Sequence, residues 1–147
     1  MRGKTLEQLV SEAKANIGRV SDEELKSAIE NEEPIVILDV RDKDLYLAGH
    51  LPGAISLPRA AIELDIDEVV PDQDTKVVTY CGGETRGSLS AHTLQIMGYE
   101  NASVLSGGFR GWKSAGLPID KSVVTEGPQD WVPLESAAEE EGSQDSS

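Results

Sequence analysis

Apolar positions along this chain switch repeatedly between helical and extended spacing. Leu6, Leu9, Val10, Ala13 and Ile17 recur at helical intervals and predict an amphipathic helix over residues 5–17. Arg19-Val20 is a short strand. Ser21 with Glu24 three residues later forms a capping box, so a helix runs to about residue 30. Pro34 breaks the chain. Residues 35–40 are almost continuously apolar, as expected of a strand buried on both faces of a parallel sheet. Residues 44–48 are about one helical turn. Pro52-Gly53 leads into a short strand over 54–57, which Pro58 ends. A weak helix covers 60–69, and Pro71-Asp72 is a turn. Residues 76–80 form the next strand. A helical pattern follows over 87–97, with Gly98 as its C-terminal cap. A strand over 102–105 and a short helix over 108–115 complete the pattern, before Gly116-Leu117-Pro118. Strands alternating with helices predict an α/β fold, a mostly parallel sheet with helices on both faces. Ligands in such sheets bind beyond the carboxyl ends of the strands.

Length and composition add organisation. A chain of 147 residues is one domain by default. It divides into an N-terminal helix (1–17), a folded domain (18–119) and an acidic tail (120–147). In that tail Lys121 is the only base, against Glu126, Asp130, Glu135, Glu139, Glu140, Glu141 and Asp145. The tail is expected to be largely disordered, with Trp131 as its one candidate anchor. There is no internal repeat. The net charge of −14 argues against nucleic-acid binding, which needs a basic stripe, and against anionic membrane surfaces. No apolar run reaches the roughly 20 residues that span a bilayer, and the first residues lack a signal-peptide core. One cysteine excludes an internal disulfide framework and a Cys-rich zinc site. A reducing cytoplasmic setting, a monomer, no metal and no cofactor are the matching expectations. Gly107-Gly108 has no Walker lysine after it and is a turn rather than a nucleotide loop.

The single cysteine, Cys81, is also the candidate for chemistry. It ends the 76–80 strand and opens Cys81-Gly82-Gly83-Glu84-Thr85-Arg86, just before a helix. A thiolate, not a thiol, is the nucleophile. Exposed N–H groups at a helix start, together with an arginine, favour negative charge there. Gly82 and Gly83 let the backbone approach a bound anion. A lone cysteine is equally at home as a small buried hydrophobe. From this loop alone, both readings stand.

Two further segments resolve the choice by resemblance. One is Ile35-Val36-Ile37-Leu38-Asp39-Val40-Arg41, followed by Tyr46 and then Gly49-His50-Leu51-Pro52-Gly53-Ala54. The other is Leu105-Ser106-Gly107-Gly108-Phe109-Arg110-Gly111-Trp112. In this order, with a Cys-x4-Arg loop between them, the segments resemble the rhodanese family of sulfurtransferases over residues 18–118. The resemblance implies a rhodanese-like fold and Cys81 as the carrier of a persulfide. The loop Gly82, Gly83, Glu84, Thr85 and Arg86 would cradle it. Arg86 would contact the oxyanion of the donor or brace the loop. Asp39 and Arg41, from the residues themselves, read as a buried pair that fixes the loop after the 35–40 strand, in support of the site. His50 would hydrogen-bond backbone in a turn, and His92 would lie on a helix surface.

The implied partners are a small sulfur-donor anion or persulfide and a thiol acceptor, which could belong to a protein. Three departures matter. Leu51 replaces the usual Ile or Val. Arg110 stands where an acid is common. Glu84 places an acid beside the nucleophile, which would repel an anionic donor and disfavour the thiolate. Three readings compete. The first is a single-domain sulfurtransferase using thiosulfate. The second is a weakly active or non-enzymatic module for binding or sulfur carriage. The third is a phosphatase or arsenate reductase, whose relatives on this fold have Cys-x5-Arg, one loop residue more than here.

Overall fold

Ile35–Asp39 (β2) and Lys76–Tyr80 (β4) form the centre of a five-stranded parallel sheet in the computed structural model, which describes residues 3–121. Gly18–Val20 (β1), Ile55–Ser56 (β3) and Ala102–Leu105 (β5) complete it in the order β1-β5-β4-β2-β3. The expected tail lies outside the described residues from 122 onward, and Trp131 with it.

The helices follow from their caps and apolar faces. Leu6–Asn16 (α1) and Asp22–Glu30 (α2) each begin with a complete capping box, from Thr5 with Gln8 and from Ser21 with Glu24. Each box satisfies two N–H groups that a helix start leaves open. Lys43–Ala48 (α3) is short. A 3₁₀ turn at Arg59–Ala61 leads into Ile62–Val69 (α4), where one weak helix was expected from residue 60. Thr85–Ile96 (α5) follows the cysteine loop, and Gly108–Ser114 (α6) follows β5. Among the described residues no helix is long and apolar enough to cross a membrane.

Alternate residues of the central strands feed two cores, because side chains along a strand point to opposite faces. Val77 and Leu38 face a cluster with Ile62, Ile66, Ala91 and Leu94 under α4 and α5. Val78, Tyr80 and Ile37 face the other, with Leu25, Leu105 and Trp112 under α2 and α6. The α1 helix packs along α5 and buries Ala13 completely.

One boundary differs from the sequence expectation. Helix α5 begins at Thr85, two residues before the predicted start, and Gly87 lies inside it. Gly87 looks like a helix breaker, but its position is set by packing. A Cβ there would stand 2.9 Å from Val104 Cγ2 and 3.4 Å from the Cys81 nitrogen. The missing side chain lets α5 rest directly on β4 and β5.

This topology locates a crevice. The chain leaves β2 towards β3 at one edge and leaves β4 towards β5 on the other side. The carboxyl ends of β2 and β4 therefore flank the switch point of the sheet, where ligands bind in open α/β folds. Asp39 ends one of these strands, and Cys81 directly follows the other.

Candidate active site

Cys81 is almost fully enclosed, at 3% exposure, and the N–H of Gly87 donates to its sulfur at 3.2 Å. The amides of the preceding residues distinguish this loop. From Gly82 through Arg86, five consecutive N–H groups have no acceptor among the described residues. Two of them, Thr85 and Arg86, belong to the first turn of α5, where intrahelical acceptors are lacking. Successive unpaired amides form a nest for an anion. The next amide in the chain, that of Gly87, is the one that reaches the Cys81 sulfur.

The loop is held open from the other side. The N–H of Phe109 donates to the Cys81 carbonyl at 2.8 Å, and that of Arg110 donates to the Gly82 carbonyl at 3.0 Å. Residues at the start of α6 thus hold the loop's carbonyls, while its amides are left unpaired. Gly108 makes this approach possible. Its φ is +60°, a conformation that residues with side chains avoid. A Cβ there would lie 2.7 Å from the Cys81 oxygen and 2.8 Å from the Gly82 oxygen, and would run into the Gly83 oxygen.

Three charged side chains surround the nest. Arg86 is exposed in the first turn of α5, and its side chain makes no ion pair or hydrogen bond among the described residues. The bracing role expected for it has no partner here, and its guanidinium is available to a ligand. Arg110 is the residue that the sequence reading noted but did not place in the site. Its guanidinium lies over the glycine pair, with Nη1 3.1 Å from where a Cβ of Gly82 would be and Nη2 2.8 Å from that of Gly83. Glu84 carries the one acid of the loop, and it is not a bare charge. Arg19 Nη2 donates to Glu84 Oε2 at 2.8 Å and to Oε1 at 2.9 Å, Lys14 Nζ lies 3.2 Å from Oε1, and the Gly107 N–H donates to Oε2 at 2.9 Å. Burial alone would raise this carboxyl. The Gly107 amide, Lys14 and Arg19 outweigh burial and hold it below the usual carboxylate range. The repulsion expected of Glu84 is therefore countered by two bases, which no local pattern indicated.

Asp39 and Arg41 lie behind the loop rather than in it. Both are buried, with Arg41 Nη2 2.7 Å from Asp39 Oδ2 and Arg41 Nε 3.0 Å from Oδ1. The Arg41 guanidinium also donates to the Gly49 carbonyl at 2.6 Å and stacks 4.1 Å above the Phe109 ring. Tyr80, the residue before the cysteine, donates its hydroxyl to Asp39 Oδ2 at 2.6 Å and accepts from the Leu51 N–H at 3.1 Å. Burial, and then the Asp39 carboxylate, push the Tyr80 phenol far upward, so it stays a neutral donor. Burial opposes the charge on Arg41, but Asp39 more than compensates and holds it above its ordinary value. This buried set joins all three sequence motifs in one contact network. His50 is part of the same scaffold. Its Nδ1 lies 2.8 Å from the Tyr46 carbonyl, and its backbone exchanges two 2.8 Å hydrogen bonds with Asp120.

Comparison with known proteins identifies the family. Residues 21–115 match the family model described as a rhodanese-like domain. The thiosulfate sulfurtransferase GlpE of Pseudoalteromonas translucida is 36% identical over 85 residues, covering 58% of this chain and 79% of that protein. A Synechococcus elongatus relative, 35% identical over 111 residues, is much longer, and the match covers 62% of this chain and 35% of that protein. Among solved structures, a Rhodopseudomonas palustris protein of unknown function, described as a possible tyrosine phosphatase, superimposes with a TM-score of 0.74. It is 29% identical and covers 82% of this chain and 97% of that one. The loop that carries Cys81, at the switch point of a parallel sheet and held by the Gly107-Gly108-Phe109 turn, is thus found in a chain that belongs to the rhodanese-like domain family.

Proposed function

We propose that this chain is a sulfurtransferase that moves a sulfane sulfur from thiosulfate, or a similar donor, to a thiophilic acceptor through a persulfide on Cys81. The observation that carries the reading is the run of five unpaired amides from Gly82 to Arg86, directly after Cys81 in the chain. In the first step the Cys81 thiolate attacks the outer sulfur of thiosulfate. A new S–S bond forms, the old one breaks, and sulfite leaves with the bonding pair. In the second step cyanide or a thiolate attacks the outer sulfur of the persulfide, and the Cys81 thiolate is the leaving group. Splitting the transfer over a covalent intermediate replaces one hard displacement with two easier ones. No strong general acid is required, since both leaving groups are stable anions. The demand is electrostatic, and preorganised amides meet it without reorganising. Because Cys81 is the only cysteine, the persulfide cannot resolve internally and an external acceptor, a small thiol or a protein thiol in a reducing cytoplasm, completes the cycle.

The phosphatase reading is disfavoured by the loop. Arg86 is the fifth residue after Cys81, one loop residue short of the Cys-x5-Arg spacing of phosphatase-type relatives on this fold.

Intact mass after mixing with excess thiosulfate tests the proposal. Wild type should gain one sulfur atom, about 32 mass units, by the covalent route, and Cys81→Ser should gain none. The absence of a gain in wild type, with thiosulfate and with a persulfide donor alike, would move the reading to a binding module. Arg110 has its own expected outcome. Arg110→Gln should raise KM for thiosulfate about tenfold with little change in kcat, because the lost guanidinium acts mainly on the approaching anion. Steady-state cyanolysis kinetics check it. An unchanged KM would remove Arg110 from the site.

A further inference from the structure

We propose that Lys14 and Arg19, two residues ahead of the family-matched segment 21–115, determine whether the active site accepts anionic reagents, by cancelling the charge of Glu84 at the rim of the cysteine loop. The inference rests on Cys81 as the reactive group but not on the identity of the sulfur donor.

Three observations lead to it. Glu84 is in the loop itself, three residues from Cys81, and its side chain is only 20% exposed. A carboxylate that close to an anion nest would lower the potential where a donor must approach. Its three partners come from three separate elements. Lys14 is in the last turn of α1, Arg19 is in β1, and the Gly107 amide precedes α6. Arg19 is further fixed by a 3.0 Å hydrogen bond from its Nη2 to Ser106 Oγ. The α1 helix also borders the loop side of the molecule, where Leu6, Glu7, Val10, Ser11 and Lys14 line one groove with Thr85. An element that the family match does not include therefore supplies one of the two cations that offset the departure at position 84.

The charge balance gives this role a signature that mere bracing would lack. With both bases present, the cluster of Lys14, Arg19 and Glu84 carries one net positive charge. Without them it carries one negative charge, beside the nest. Replacing Glu84 by Gln leaves an acceptor for the Gly107 amide but removes the charge.

Two alkylating reagents of similar size and opposite electrostatic demand read this out directly. Iodoacetate is an anion and iodoacetamide is neutral, and the Cys81 thiolate attacks the CH2 carbon of either, forming an S–C bond as iodide leaves. Intact mass follows each rate in the full-length protein. In Lys14→Gln/Arg19→Gln the ratio of iodoacetate to iodoacetamide rates should fall about tenfold. In Glu84→Gln alone it should rise a few-fold. The triple variant, with all three side chains neutral, should recover about half of that fall on a logarithmic scale, to about threefold below wild type, even though every ionic contact is gone. A thermal melt of each variant separates loss of fold from loss of charge. A ratio unchanged in the double variant would overturn the proposal. So would equal loss of both rates in the double variant that the triple variant fails to restore, since that pattern belongs to structural bracing. Because no sulfur donor takes part, these outcomes stand apart from success or failure of the thiosulfate experiment.

Discussion

Gly108→Ala is expected to cripple the active loop while leaving most of the fold in place. The added methyl would be driven into three carbonyl oxygens of the loop, those of Cys81, Gly82 and Gly83. It would also have to hold φ near +60°, which costs a residue with a side chain about 1–3 kcal/mol even without a clash. The least costly relief is to withdraw the start of α6 from the loop. That breaks the hydrogen bonds from Phe109 to Cys81 and from Arg110 to Gly82, and each loss adds about 1 kcal/mol. The expected total is a destabilisation of about 3–5 kcal/mol, with sulfur transfer reduced at least a hundredfold because the amides lose their fixed orientation. Urea unfolding and single-turnover persulfide formation measure the two effects. A variant with wild-type stability and turnover would mean that the loop does not depend on this contact.

Asp39→Ala should have the larger effect on stability. It leaves the Arg41 guanidinium buried without its carboxylate, and removing one partner of a buried pair costs about 3–5 kcal/mol. The Tyr80 hydroxyl loses its acceptor, and the Arg41 amide loses its contact with Asp39 Oδ1. The damage reaches the site through the chain, since Tyr80 directly precedes Cys81. A variant with both Asp39 and Arg41 replaced by leucine should be less destabilised than Asp39→Ala, because no charge is then stranded in the core. Equilibrium denaturation of the two variants decides it. If Asp39→Ala costs less than about 1 kcal/mol, the pair behaves like an exposed ion pair, and the proposed support of the loop fails.

These two variants mark different kinds of constraint. Gly108 acts through what is absent, a Cβ that the loop's carbonyls cannot accommodate. Asp39 acts through what it neutralises. Both lie outside the Cys-x4-Arg loop, yet both set where its amides point.

Much of the protein follows from local pattern. The apolar runs at 35–40 and 76–80, separated by helical segments, determine a parallel sheet with two covered faces. A strand with no polar side can be buried only between two layers. The capping residues Thr5 and Ser21 determine where two helices start, because cap chemistry is local. The position of Cys81 at the end of a strand, with glycines after it, makes it a candidate for chemistry, and the resemblance carried by the two flanking segments favours the nucleophile over a buried hydrophobe. The relations between segments far apart in the chain are set by the folded structure alone. Gly87 resembles a helix breaker until Val104 is seen against it. Arg110, noted in the sequence only as a departure, proves to lie over Gly82 and Gly83. The charge of Glu84 looks repulsive in sequence and is balanced in space by Lys14 and Arg19, some 65 to 70 positions away. Neutralisation depends on distance through space, and a charge seen in sequence carries no record of which distant side chain the fold will bring to it.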